Sequence, residues 1–227
     1  MDPRNPNGYR INGINELLVA NQEIVELDNV VLDQSQRKLV DDLIRAQRYG
    51  RELASYGLAM DNKLLLYGRS GCGKSMLASA LATALKRKLL VLDLSQIVNA
   101  RIGETSQQLK LVFDWASKNK AVLFLDEFDL IAKSRINDEK DVGEMRRLVS
   151  TLLQMMDYFS SDAIMVAATN HLPVLDEAIV RRFQLKIGFE LPTTHVLDNY
   201  YSKLLSAFPT SLREIKRVYH ISFAEAK

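Results

Sequence analysis

The stretch that most restricts this chain is Gly68-Arg69-Ser70-Gly71-Cys72-Gly73-Lys74-Ser75. It fits G-x-x-x-x-G-K-[ST], the pattern of a loop that cradles phosphate between a strand and a helix. Glycines let backbone N–H groups turn inward and approach phosphate oxygens with no side chain in the way. A helix beginning near Lys74 aims its positive end at the same phosphates. Lys74 adds a mobile charge for the β- and γ-phosphates, and the Ser75 hydroxyl is a ligand for Mg²⁺. The flanks meet this demand: Leu64–Tyr67 is an apolar strand candidate, and Leu77, Ala80, Leu81, Ala84 and Leu85 form one helical stripe. Gly71, Cys72, Gly73, Lys74, Ser75 and Met76 are the expected nucleotide-binding residues of the loop. Cys72 fills an unconstrained position with no histidine nearby in sequence to activate it, so it reads as loop filler and not as a nucleophile.

A second signal is Val122-Leu123-Phe124-Leu125-Asp126-Glu127, a strand candidate that ends in two acids. An acid at the carboxyl end of a parallel strand lies where such sheets bind ligands. Asp126 is expected to hold Mg²⁺ through its water shell, and Glu127 to orient and deprotonate an attacking water. Taken alone, the pattern also describes an ordinary strand and a polar turn, and neither motif by itself selects a nucleotide-binding family.

Short apolar runs recur between these motifs and beyond them: Lys63–Tyr67, Leu89–Asp93, Ala121–Asp126, Ala163–Thr169 and Leu185–Phe189. Each is nearly continuous in Leu, Val, Ile, Phe or Ala, as in a strand buried on both faces. Helical patterns separate them, among them a stripe of Leu109, Val112, Phe113 and Ala116. Strands alternating with helices imply an α/β fold, a five-stranded parallel sheet flanked by helices. Residues 1–33 begin with turn-forming Pro3, Pro6, Gly8 and Gly13 and read as an N-terminal linker; 34–190 is the α/β domain. Residues 191–227 hold no strand candidate and read as helical.

The remaining motifs resemble the AAA clade of AAA+ ATPases, from about residue 28 to the end and in that family's order. Asp126–Ala132 is similar to its Walker B region, and Ala167-Ala168-Thr169-Asn170 to its sensor 1 strand. The resemblance implies that Asn170 contacts the γ-phosphate and the attacking water. Leu175–Phe183 resembles the segment that carries arginine fingers, which makes Arg181 and Arg182 the candidates without choosing between them. Asp157-Tyr158-Phe159 falls where the family has an Asp-Gly-Phe signalling motif, with Tyr158 in place of the glycine. His220-Ile221-Ser222-Phe223-Ala224 looks like the start of the family's lid motif, which would bring His220 to the base or ribose; a packed or surface histidine is the alternative. The lid, 191–227, is either unusually short or only partly contained in this chain. At the first pore loop, where the family has an aromatic, a hydrophobe and glycine, this chain has Arg101, Ile102 and Gly103, with Gly103 expected to allow a tight turn.

The resemblance implies ATP and Mg²⁺ as ligands. It also implies a homo-oligomeric ring, expected to be a hexamer, because an arginine supplied in trans needs a head-to-tail neighbour. The expected activity is ATP hydrolysis that remodels a protein partner. One alternative is a nucleic-acid-associated ATPase of the helicase-loader or transposition-regulator type; another is a nucleotide-gated scaffold or P-loop kinase. Composition argues against nucleic acid: the net charge is +2, and the basic clusters Lys86-Arg87-Lys88, Arg146-Arg147 and Lys216-Arg217 are short, with acids nearby. No apolar run approaches the ~20 residues that span a bilayer, and the N-terminus has no secretory pattern. A single cysteine suits a reducing, cytoplasmic setting. His171, His195 and His220 show no metal-ligand spacing.

Overall fold

A computed structural model describes residues 18–19, 24–94, 102–130 and 142–227. Its strands are β1 (Leu18–Val19), β2 (Lys63–Gly68), β3 (Leu89–Asp93), β4 (Val122–Asp126), β5 (Ile164–Thr169) and β6 (Leu185–Phe189). They form one sheet in the order β1-β3-β4-β5-β2-β6. The five expected strands are all parallel. β1 adds a sixth, antiparallel edge, with Leu18 opposite Leu92 and Val19 opposite Val91, so part of the stretch read as a linker is sheet.

Alternation along each strand sends side chains to two helical layers. Leu65, Leu123, Leu125, Met165 and Ala167 face one layer; Leu64, Leu66, Phe124, Val166 and Ala168 face the other. Both layers are covered, which is why the central strands β2, β4 and β5 read as continuous apolar runs.

The helices are α1 (Gln34–Arg48), α2 (Gly50–Ser55), α3 (Lys74–Leu85), α4 (Ile102–Lys118), α5 (Val142–Asp157), the one-turn α6 (Glu177–Val180) and α7 (Thr194–Leu205). α4 and α5 cover the first face through Val112, Phe113, Leu148 and Leu152; α1 and α3 cover the second through Val40, Leu43, Leu77 and Leu81. Asp33 starts α1 with a reciprocal cap: its carboxylate accepts from Gln36 N, and Gln36 Oε1 accepts from Asp33 N. Gln36 also donates Nε2 to Gly188 O at 2.6 Å, so the start of α1 closes part of the open edge of β6.

Residues 191–227 are less helical than their composition suggests. Beyond α7 only a single 3-10 turn, Thr210–Leu212, precedes a segment, 213–219, that is not helical. Side chains hold that segment instead of backbone periodicity. Tyr201 OH donates to Val218 O at 2.9 Å, and Asp198 accepts from Arg217 Nη1 at 2.7 Å and Tyr219 OH at 2.8 Å. Among the described residues no helix is long and apolar enough to cross a membrane.

Candidate active site

The sheet order brings together three chain segments that are far apart in sequence. β5 lies between β4 and β2, so the loop after β2, the acids ending β4 and Asn170 after β5 meet at the carboxyl edge of three adjacent strands.

Gly68, Gly71 and Gly73 all have positive φ, at 124°, 72° and 108°. At Gly68 a side chain is impossible, since a Cβ there would lie 1.9 Å from Phe189 O. Gly73 starts α3 in a left-handed conformation, with Leu77 N donating to its carbonyl. Lys74 is 8% exposed, and its Nζ donates to Gly68 O and Arg69 O, each at 2.8 Å, and to Asn170 Oδ1 at 2.7 Å. Burial holds its ammonium below the usual lysine range. A cation set among backbone carbonyls and a carboxamide, at the mouth of a glycine loop and a helix N-terminus, fits a polyphosphate ligand. Ser75 and Met76 follow on the exposed side of α3. The Cys72 side chain is buried in the apolar core and burial pushes its thiol up, which agrees with a packing role.

Asp126 closes β4, and its Oδ1 accepts from Glu127 N at 2.9 Å. Burial raises its carboxyl above the ordinary value, against the opposing effects of that hydrogen bond and of Lys74. Glu127 is exposed and has φ +52°, a left-handed conformation that costs a residue with a Cβ about 1–2 kcal/mol. Phe128 N donates to Ala168 O, which pins this turn to β5.

Arg181 and Arg182 follow α6, whose start is capped by Asp176 through Ile179 N at 2.8 Å. Phe183 is buried and packs edge-on against Phe128, with ring centroids 5.7 Å apart, so the arginine turn rests on the turn that carries Glu127. Asp157 ends α5 and pairs with Arg182, while Tyr158 is 82% exposed.

The C-terminal segment reaches the phosphate loop by a contact the sequence did not announce. Ala224 N donates to Gly71 O at 3.2 Å, and Ser222 with Glu225 forms a side-chain cap around the same turn. His220 lies in this segment but is exposed, with φ +61°. At the expected pore loop, Arg101 lies outside the described residues. Ile102 and Gly103 are the first residues of α4, so Gly103 opens a helix and not a tight turn. A cleft of about 850 Å³ between α1 and β6 is bordered by Gln36, Gly68, Arg69 and Glu190, and Lys74, Ser75, Asp126 and Asn170 lie outside its walls.

Sequence reasoning assigned no role to Asp129 or Thr169. Asp129 is 4% exposed, and its Oδ1 accepts from Thr169 Oγ1 at 3.0 Å and from Asn170 N at 3.4 Å. The available signal was a third acid three residues after Asp126, on an otherwise apolar turn.

Comparison with known proteins finds a matching family model and similar chains. The family model of the ATPase family associated with various cellular activities (AAA) matches residues 64–191. The chain is 30% identical over 201 residues to the uncharacterized AAA family ATPase y4kL of Sinorhizobium fredii, covering 87% of this chain and 61% of that protein. It is 34% identical over 168 residues to the 26S proteasome regulatory subunit 6A of Saccharomyces cerevisiae, covering 71% of this chain and 39% of the subunit. It thus spans less than two thirds of either relative. The FIGL-1 AAA domain crystallised with ADP superposes with a TM-score of 0.70 at 22% identity, covering 88% of this chain and 66% of that one.

Proposed function

Because this chain belongs to the AAA family of ATPases, we propose that it binds Mg-ATP at Gly68–Ser75, hydrolyses it within a ring of copies and remodels a protein partner. One observation carries the reading: the Lys74 ammonium and the Asn170 carboxamide meet at 2.7 Å, within electrostatic reach of Asp126. That meeting point is where a loop for β- and γ-phosphates, a metal-holding acid and a γ-phosphate sensor have to converge.

In this reading the loop amides and Lys74 hold the phosphates, and Lys74 exchanges its carbonyl partners for phosphate oxygens. Ser75, and Asp126 through water, would hold magnesium, which would supply positive charge to the phosphate oxygens. Glu127 orients a water and takes its proton as the water oxygen attacks the γ-phosphorus and the bond to the ADP oxygen breaks. Asn170 orients that water. The charge that builds up on the transferring group calls for a further cation, which Arg181 or Arg182 of a neighbouring copy supplies.

The protein-partner reading is supported by the proteasomal relative and by the absence of a basic track in the composition. Arg101 and Ile102 would meet the partner with a charge and an apolar side chain in place of an aromatic wedge. The test is ATPase activity against protein concentration, with unfolded protein or DNA added. The reading expects specific activity to rise as rings form and unfolded protein to stimulate it. Stimulation by DNA alone, or activity that stays flat down to monomeric dilution, contradicts it.

A further inference from the structure

The end of β5 is held by a buried carboxylate from another element. Asp129 Oδ1 accepts directly from Asn170 N and from the Thr169 hydroxyl, and that hydroxyl in turn accepts from His171 N at 3.0 Å. One acid thus fixes two consecutive backbone amides of the turn, the first directly and the second through Thr169. The turn sets where the Asn170 side chain points, and its Oδ1 meets Lys74 Nζ. On the other side, Asp129 lies two residues after Glu127, and Phe128 N between them donates to Ala168 O. Residues 127–129 and 168–171 are therefore tied into one unit that carries both Glu127 and Asn170.

A strand end does not need this acid. Burying a carboxylate is costly unless charge-assisted hydrogen bonds offset it, and a neutral side chain would close an ordinary turn more cheaply. What a carboxylate adds is stiffness: it accepts two bonds at one oxygen in a setting of low dielectric, where such bonds are strong and directional. Stiffness has value where two side chains must hold one water. A misplacement of about 1 Å there can cost roughly a hundredfold in rate.

We propose that Asp129 is a positioning residue for ATP hydrolysis, fixing Asn170 relative to Glu127 through the backbone of the 169–171 turn. The proposal rests on the reading above, in which Asn170 and Glu127 share the attacking water. It does not place Asp129 against the nucleotide.

The experiment is a double-mutant cycle on the assembled ATPase, measuring kcat, KM and the Kd for ADP. The variants are Asp129→Ala, Asp129→Asn, Thr169→Val, Asn170→Ala and the pair Asp129→Ala with Asn170→Ala. Asp129→Ala should lower kcat roughly 10- to 100-fold and leave ADP affinity within about twofold, because ADP has no γ-phosphate for Asn170 to meet. Asp129→Asn, which keeps an acceptor oxygen but not the charge, should recover only part of the loss. In the Asn170→Ala background Asp129→Ala should lower kcat by less than about twofold, since nothing is left to position. Equal losses from Asp129→Ala with and without Asn170, or an ADP affinity that falls in step with kcat, would overturn the proposal and leave Asp129 a structural residue. Asn170→Ala hydrolysing at the wild-type rate would instead overturn the reading beneath it. If Asp129→Ala does not fold, Thr169→Val carries the same cycle, since it breaks the hydroxyl bridge and keeps the carboxylate.

Discussion

Arg182 lies against Asp157 with two parallel hydrogen bonds, Nε to Oδ1 at 2.9 Å and Nη2 to Oδ2 at 3.1 Å, and its Nη1 donates to Ala178 O at 2.5 Å. Arg181 beside it is exposed and makes no ion pair or side-chain hydrogen bond among the described residues. Two adjacent arginines with the same sequence credentials thus occupy different situations. Arg182 is held within its own subunit, and Arg181 has no such partner among the described residues, which suits the proposed role toward a neighbouring copy. In an assembled ring, Arg181→Ala should lower turnover at least about tenfold and leave Tm within about 1 °C. Arg182→Ala should lower stability by about 0.5–1 kcal/mol, the scale of a half-exposed pair. Thermal melts and turnover on the two variants separate the roles.

Gly71 and Gly57 have nearly the same φ, 72° and 71°, but different surroundings. A Cβ at Gly71 would lie 2.6 Å from Ser222 Oγ and 2.9 Å from the Ala224 Cβ, whereas one at Gly57 meets nothing within 4 Å. Alanine at either site carries the left-handed penalty of about 1–2 kcal/mol. Gly71→Ala should in addition push the C-terminal segment off the loop and weaken ATP binding at least about tenfold. Gly57→Ala should leave ATP affinity unchanged. Titration calorimetry on both variants checks the difference.

Asp198 anchors the C-terminal segment through Arg217 and Tyr219, and those hydrogen bonds, Arg217's first, hold its carboxyl below the ordinary value of 3.8. The folded pKa is lower than the unfolded one, so the stabilisation is present above the unfolded value and is lost as pH falls through the folded one. The anchor should therefore be constant across neutral pH and release below about pH 4. Hydrogen-exchange protection of residues 213–224, corrected for intrinsic rates, should show that acid step in the wild type. Asp198→Asn should show weak protection at every pH and no step.

The sheet was legible because its central strands β2, β4 and β5 are buried on both faces, leaving runs such as Leu64-Leu65-Leu66 with no competing period. Strand order is not written in such runs, yet it is the placement of β5 between β4 and β2 that brings Asn170 to Lys74. β1 escaped because two residues carry no periodicity, and pairing with β3 decides their conformation. The segment 213–219 escaped for a related reason, since its shape depends on Asp198 and Tyr201, a helix away in sequence. Of the site, the glycine loop and the two acids were legible as local patterns with chemical reasons. Asp129 was not, because a carboxylate's partners on another strand appear only once the chain has folded.

In the proposed mechanism Glu127 is the base that activates water, distinct from Lys74 and Asp126, which would hold the nucleotide and its metal. Glu127→Gln keeps the size of the side chain and its exposed place after β4 and removes only the proton acceptor. The decisive measurement is Mg-ATP affinity and steady-state turnover of that variant beside wild type. Glu127→Gln should bind Mg-ATP within about twofold of wild type and turn over at least about a hundredfold more slowly. Hydrolysis at the wild-type rate by Glu127→Gln would contradict that mechanism.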